Sequence, residues 1–470
     1  FKKMNNIFEG IKKVHLIGVG GIGMSGIAEY LLRKDYEVTG SDMTASMITG
    51  RLVNLGIQCF EGHREENLPD DTELVIYSAA VKEDNPEFKK ALRLNIKVVK
   101  RAEALGSIVN DKYLISVSGT HGKTTTTAMI AKVLIENGID PTVFVGGLSD
   151  FLEGGSSRIG NSNIAVVEAD EYDRSFLQLR SDVIVITNIE ADHLDIYEDL
   201  EDIKNCFLKF IEMSKENVNI IACGDDANVR DTLKDIQGVN YYGFGNANEF
   251  VIHEPGYSTR TIGYKLNNAD LRIKVPGDHN VLNSAAAFIV SKVFGINYEK
   301  FNQSMKTFYG VKRRLELKYE NGIRVYDDYA HHPSEVSATL DAIKKQGPGR
   351  IITVFQPHLY SRTRDFYKEF GKSFELTDYL LLAKIYPARE TEIEGITSDL
   401  ILDEYLKIKP GKEGAESGFY FEDRKMIMKK LEETVKEGDV IIFQGAGDVT
   451  DLCSEYVKMM KEKFNFKVPL

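Results

Sequence analysis

Gly119-Thr120-His121-Gly122-Lys123-Thr124-Thr125-Thr126-Thr127 follows a strand-like run, Tyr113 to Val117, and opens a helix-like one. In that setting the loop reads as a phosphate cradle. Small residues let backbone N–H groups approach phosphate oxygens, and the helix N-terminus adds positive dipole. Lys123 has the reach for β- and γ-phosphates, and Thr124 has the hydroxyl that Mg²⁺ takes. The longer pattern G-x-x-x-x-G-K-[ST] would need glycine where Val117 stands, so only the compact G-x-x-G-K-T half is present.

Outward from the loop, strand and helix signals alternate, which predicts parallel βαβ units. Before it, Val14 to Gly18, Tyr36 to Gly40, Leu74 to Ser78 and Ile96 to Val99 read as strands, with helices over Ile22 to Lys34 and Ala102 to Val109. After it come strands at Ile164 to Glu168, Val183 to Thr187 and Val218 to Ala222. Short β-like pieces with many Gly and Asn then fill Gly238 to Pro276, and Asn280 to Val293 reads as a helix. Ile323 to Tyr326, Arg350 to Phe355, Tyr379 to Leu382 and Val440 to Phe443 form a third α/β block. The expected fold is α/β in three domains. Residues 1–110 are Rossmann-like, 111–310 a P-loop ATPase-type domain with a mostly parallel sheet and a small antiparallel patch, and 311–470 Rossmann-like again. A chain of 470 residues exceeds what one core usually supports.

The formal charge of −12 argues against a nucleic-acid binder, so any bound phosphate must be met by local groups. No apolar run approaches the ~20 residues that span a bilayer, and no signal-peptide core opens the chain, so a cytoplasmic protein without a membrane partner is expected. Cys59, Cys206, Cys223 and Cys453 are scattered without C-x-x-C spacing, which predicts buried thiols rather than zinc or disulfides.

Gly18-Val19-Gly20-Gly21-Ile22-Gly23 satisfies G-x-G-x-x-G between strand and helix, and Asp42 ends the next strand at about the offset of an acidic ribose partner. A nucleotide diphosphate is the inference; the glycines do not choose among nucleotides. Glu168-Ala169-Asp170-Glu171-Tyr172-Asp173 places carboxylates at a strand end, and Asp192-His193 follows the next strand. Oxygen ligands suit Mg²⁺, so Thr124 with Glu168 is the first metal pair, and His193 is expected to complete a second site. Asn280 either caps its helix or meets a base edge. Asp327-Asp328-Tyr329-Ala330-His331-His332-Pro333 and Phe355-Gln356-Pro357-His358-Leu359-Tyr360-Ser361-Arg362 close strands of the third block. Adjacent histidines without a nearby cysteine disfavour zinc. A polar site in which Arg362 clamps a carboxylate fits better.

Together these motifs resemble the Mur ligases of bacterial peptidoglycan synthesis. The resemblance rests on His15 to Ala28, Gly119 to Thr126, Glu168 to Leu177, Thr187 to Tyr197, Asp327 to Glu335 and Phe355 to Thr363, extended by Tyr386 to Glu390 and Gly445 to Asp448. It implies an ATP- and Mg²⁺-dependent amide ligase that activates the carboxylate of UDP-N-acetylmuramate as an acyl phosphate and joins L-alanine to it. It further implies that Gly119, Thr120, His121, Gly122, Lys123, Thr124 and Thr125 hold the ATP phosphates, and that His279, Asn280, Arg314 and Asp327 make further ATP contacts. Thr124, Glu168 and His193 resemble the metal ligands. Gly18, Gly20, Gly21, Gly23, Met24, Ser41, Asp42, His63, Ser78 and Arg101 are implied for the sugar nucleotide, and Tyr329, His331, His358 and Arg362 for the amino acid. Lys123, Glu168, His193, His331 and Arg362 are the implied catalytic set, in a monomer or weak homodimer. Many members carry arginine where Leu359 stands, which bears on amino-acid affinity. Rival readings are a murein tripeptide-recycling ligase of the same family, an NAD-dependent oxidoreductase that would leave the Lys123 loop unused, and a nucleotide-operated binding module.

Overall fold

The computed structural model describes residues 6–192, 196–258, 260–347, 349–388, 390–409 and 417–465. Three sheets carry the fold. The first holds β1 (Lys13–Ile17), β2 (Glu37–Asp42), β3 (Gln58–Glu61), β4 (Leu74–Tyr77) and β5 (Lys97–Lys100) in the order β3-β2-β1-β4-β5, all parallel. The order reverses at β1, so Gly18–Gly23 lies at the switch point where open α/β sheets take ligands.

The second sheet is built around β6 (Tyr113–Ser118), with β7 (Thr142–Phe144), β8 (Ser157–Arg158) and β9 (Ile164–Glu168) on one side. On the other lie β10 (Val183–Ile186), β11 (Asn219–Cys223) and β12 (Asn240–Gly243), giving β12-β11-β10-β6-β9-β7-β8. Only β7–β8 is antiparallel in that stretch; β10 and β9 both flank β6 in parallel. β13 (Phe250–Tyr257), β14 (Ile262–Leu266) and β15 (Ala269–Ile273) extend the β12 edge. β10 is apolar throughout and β6 is interrupted only by the buried Ser116 and Ser118, the usual condition of parallel strands covered on both faces.

The third sheet contains β16 (Glu316–Asn321), β17 (Ile323–Asp328), β18 (Ile351–Phe355), β19 (Tyr379–Ala383), β20 (Gly418–Phe421) and β21 (Val440–Gln444), in the order β16-β17-β21-β18-β19-β20. Its only antiparallel pair among the described residues is β16–β17. The C-terminal ends of β17, β21 and β18 are neighbours, which gathers the Asp327, Gly445 and Gln356 loops.

By contacts the chain divides into two compact units. One is residues 1–254, 265–271 and 282–307; the other is 255–264, 272–281 and 308–470. The first contains both glycine loops. One core runs through it from Leu16 and Ile76 to Val167, Phe176 and Phe210, the last two rings stacked at 4.7 Å. The thiols of Cys206, Cys223 and Cys453 are buried and Cys59 half-buried, all four free. Among the described residues no helix is long and apolar enough to cross a membrane.

Candidate active site

The phosphate loop is shaped by the strand beside it. Thr120 N donates to the Asn188 carbonyl at 3.1 Å, His121 N to Asn188 Oδ1 at 2.7 Å, and Glu190 N to Thr120 Oγ1 at 2.8 Å. Gly119 has φ +134°, and a Cβ there would stand 2.1 Å from Thr187 Oγ1, so this turn admits only glycine. The helix Lys123–Glu136 begins immediately after Gly122, and its first turn carries no acidic side chain.

Lys123 Nζ donates to both oxygens of Glu171 at 2.8 Å and to the carbonyls of Gly119 and Thr120 at 2.6 and 3.2 Å. Burial works against both charges. For Lys123 the carboxylates of Glu171, Asp170 and Glu168 overcome it, and the ammonium is held up to about 12. For Glu171 burial prevails over the pull of Lys123, Asp170 adds repulsion, and the carboxyl is pushed up to about 7. The sequence showed Glu171 as one acid among several; its pairing with Lys123 is a finding of the fold.

Thr124 Oγ1 donates to Glu168 Oε1 at 3.0 Å, while Glu168 Oε2 accepts from Gly146 N at 2.7 Å. Two hard oxygen donors meet at a helix start, a set that fits Mg²⁺ better than a softer metal. His193 lies outside the described residues.

At the first loop, Gly18 N and Val19 N donate to the Ser41 carbonyl at 2.8 and 2.9 Å, and Gly20 N to Asp42 Oδ2 at 2.9 Å. Asp42 is thereby tied to the loop itself. A Cβ at Gly23 would stand 2.7 Å from an Arg101 guanidinium nitrogen, and one at Gly18 3.3 Å from Ser78, so both side chains lie against the loop. Gly21 bonds back to the Gly18 carbonyl at 3.2 Å. The Met24 side chain is packed in the core, which leaves its backbone at the start of the helix after the loop. A cleft of about 420 Å³ opens beside Val81, lined by Tyr77, Lys82, Phe88 and Lys100 from the first block and Tyr172 and Asp173 from the acidic loop of the second.

His279, Asn280, Arg314 and Asp327 belong to the second unit. The helix Asp278–Lys292 starts two residues before Asn280, so Asn280 is no cap: its Nδ2 donates to the Pro276 carbonyl at 2.6 Å and to His279 Nε2 at 3.1 Å. Burial lowers His279 to about 4, against the opposing charges of Asp278, Asp341 and Glu335. Asp327 is 2% exposed, with Oδ2 accepting from Thr450 Oγ1 at 2.6 Å and Oδ1 buried without a hydrogen-bond partner among the described residues. Arg314 and Arg313 both stack on Tyr329, at 5.0 and 4.8 Å from the ring centre.

The expected amino-acid residues do converge. Tyr329 meets His331 at 5.2 Å between ring centres, His331 meets His358 at 6.0 Å, and His358 stacks on Tyr386 at 5.8 Å. Arg362 Nη1 lies 3.5 Å from His358 Nδ1. His331 Nδ1 must carry a proton, since its partner at 2.9 Å is the Tyr329 carbonyl. Tyr386 and Glu390 belong to the stretch that extends the resemblance, which gave neither a role in the site. Glu390 takes both the N–H and the hydroxyl of Ser361, one residue from Arg362.

Fold and loops define a class: a multidomain α/β protein with two glycine-rich loops at the switch points of parallel sheets. Residues 13–113 match the model of the Mur ligase family catalytic domain, 117–291 the Mur ligase middle domain, and 313–447 the Mur ligase glutamate ligase domain. The chain belongs to the Mur ligase family. It is 42% identical to the UDP-N-acetylmuramate–L-alanine ligase of Acetivibrio thermocellus over 95% of this chain and 96% of that protein. The crystal structure of the UDP-N-acetylmuramate-alanine ligase of Thermotoga maritima superposes with a TM-score of 0.82 at 28% identity, covering 96% of this chain and 99% of the other. A murein peptide ligase of Psychrobacter arcticus shares the fold, with a TM-score of 0.68 at 24% identity over 95% and 98%.

Proposed function

We propose that this chain is an ATP-dependent ligase that joins L-alanine to the carboxylate of UDP-N-acetylmuramate, releasing ADP and phosphate. The observation that carries the reading is the pairing of Lys123 and Thr124 with strand-end carboxylates in a phosphate loop, in the same unit as the Gly18–Gly23 loop. The cleft at Tyr77, Lys100 and Tyr172 joins the two blocks and suits a sugar, with rings for its apolar face and lysines for its anionic substituents.

A carboxylate is a poor electrophile. Its oxygen attacks the γ-phosphorus of ATP, the bond to the β-phosphate oxygen breaks, and ADP leaves with an acyl phosphate behind. Two anions must meet in that step, and Lys123 supplies a fixed positive charge to the transferring group. When phosphate takes the ammonium, Glu171 loses its partner and can take a proton at near-neutral pH. Thr124 and Glu168, with His193, would hold Mg²⁺, whose charge offsets that of the phosphate oxygens. L-Alanine must lose an ammonium proton before its nitrogen attacks the acyl carbon. His331, with its Nδ1 proton given to the Tyr329 carbonyl, has Nε2 as the accepting nitrogen. Arg362 pairs with the alanine carboxylate, and inorganic phosphate leaves as the amide forms. We place the reaction in the cytoplasm, where ATP is supplied.

The test is phosphate release from ATP with each substrate omitted in turn. Release that needs both UDP-N-acetylmuramate and L-alanine is expected. Equal release without either one sinks the reading, and a tripeptide used more efficiently than L-alanine selects the recycling ligase instead.

A further inference from the structure

The structure assigns Glu87 as a positioning residue for the sugar-nucleotide site, acting by fixing which nitrogen of His63 carries the proton; this rests on reading the Gly18–Gly23 loop as that site. Glu87 has a fully buried side chain in the first turn of the helix Pro86–Arg93, which Asn85 caps. Its Oε2 accepts from Ser41 Oγ at 2.6 Å and from His15 Nε2 at 2.8 Å. Its Oε1 faces Asn67 Nδ2, Arg64 N and His63 Nδ1, each at 3.2 Å. Burial works to raise this carboxyl, but the hydrogen bonds from His15 and Ser41 and the charge of His15 leave it below the usual range, hence ionised.

Counting protons then settles the rest. An ionised carboxylate only accepts. The one hydroxyl proton of Ser41 goes to Glu87, so the Ser41 oxygen, 3.0 Å from His63 Nδ1, accepts there. Both neighbours of His63 Nδ1 are acceptors, and Nδ1 must carry hydrogen. The lone pair of the neutral ring is therefore on Nε2, at the edge away from Glu87. His63 follows β3, the strand next to β2, whose last residue Asp42 holds Gly20. Ser41, which sets this tautomer with its hydroxyl, binds the glycine loop with its carbonyl. The network thus links the loop to a ring that offers an acceptor to an N–H or O–H of a nucleoside, the imide of uracil or a ribose hydroxyl, and turns away a carbonyl.

Nitrogen NMR on the full chain with labelled histidine, above the ring's titration, reads the tautomer without any ligand. Hydrogen on Nδ1 of His63 is expected. In Glu87→Gln the amide oxygen stays toward Asn67 Nδ2 and Arg64 N and the NH₂ meets Ser41 Oγ, which frees the Ser41 hydroxyl to donate to His63 Nδ1. The share of hydrogen on Nε2 should rise, and UDP binding followed by calorimetry should weaken about 10-fold or more while ATP binding holds. The double variant E87Q/H63A should bind UDP no worse than His63→Ala, because Glu87 acts through the ring. Hydrogen on Nε2 in the unaltered protein, or losses that multiply in the double variant, would overturn the assignment. An unaltered protein that takes no UDP overturns the sugar-nucleotide reading instead, and the nitrogen spectrum tells the two failures apart.

Discussion

Lys123 is held in the free protein by the group it must leave. Its ammonium rests on Glu171, which is 3% exposed, and on two loop carbonyls at the spot where phosphate oxygens are expected. Lys123→Ala should lower turnover at least ~100-fold, by removing charge from the transition state. It should also destabilise the fold by about 3 kcal/mol above pH 7, because a buried carboxylate loses its counter-ion. The double variant K123A/E171Q separates the effects: stability should return and turnover should not. Steady-state kinetics with thermal unfolding checks both, and recovered turnover in the double variant would show that Lys123 serves only to neutralise Glu171. The lysine was legible in the sequence because strand, glycine, lysine and threonine are contiguous. Its partner was not, being 48 positions away and one of the four carboxylates between Glu168 and Asp173. The same holds for His15 and Glu87, 72 positions apart, which only the β1, β2 and helix packing brings together.

At the scale of elements, the helix Tyr360–Ser373 shows how a local backbone cost positions a site. Leu359 precedes it at φ +71°, ψ +137°, a region L-residues rarely adopt and that costs about 1–3 kcal/mol. Its N–H is tied to the Tyr386 carbonyl at 2.9 Å, and its carbonyl takes the Thr363 N–H and hydroxyl at 3.2 and 2.9 Å. That clamp turns the chain so that His358 stacks on Tyr386 and Arg362, in the first helical turn, reaches His358. Arg362→Ala should therefore raise the KM for L-alanine about 10-fold or more, with the KM for ATP nearly unchanged. Equal effects on both would place Arg362 at another step. Long apolar strands such as Ile164–Glu168 could be read directly, because burial on both faces leaves an uninterrupted hydrophobic run. Gln58–Glu61, Thr142–Phe144 and Gly418–Phe421 could not, because none holds the run of Val, Ile and Leu that marks strands as short as Leu74–Tyr77 and Val183–Ile186. The start of the helix at Asp278 was hidden for another reason. Asn280 looks like a cap in sequence, and its actual bond to the Pro276 carbonyl is set by the Gly277 turn.

Over the whole molecule, the two units carry pH responses of opposite sign in these groups, and variants can isolate them. In the second unit His279 titrates near 4 when folded and near 6.5 when unfolded. Between those values the unfolded chain binds more protons, so this group's contribution to stability falls as pH drops from about 6.5 to about 4. The ring is half-buried, and solvent screening limits the effect to about 1–2 kcal/mol. In the first unit Glu171 moves the other way. Its folded value lies above the unfolded one, so its contribution is present at low pH and is lost as pH rises from about 4.5 through about 7. Relative to His279→Gln, the unaltered protein should lose stability on acidification from pH 7 to 5. Relative to Glu171→Gln, it should lose stability on alkalinisation over the same interval. Calorimetric unfolding of the three proteins at both pH values checks this, and a difference of the same sign for both variants would mean that one of the two environments is misassigned. The prediction concerns protein without nucleotide, since phosphate on Lys123 would change what Glu171 sees and, with it, the slope belonging to the first unit.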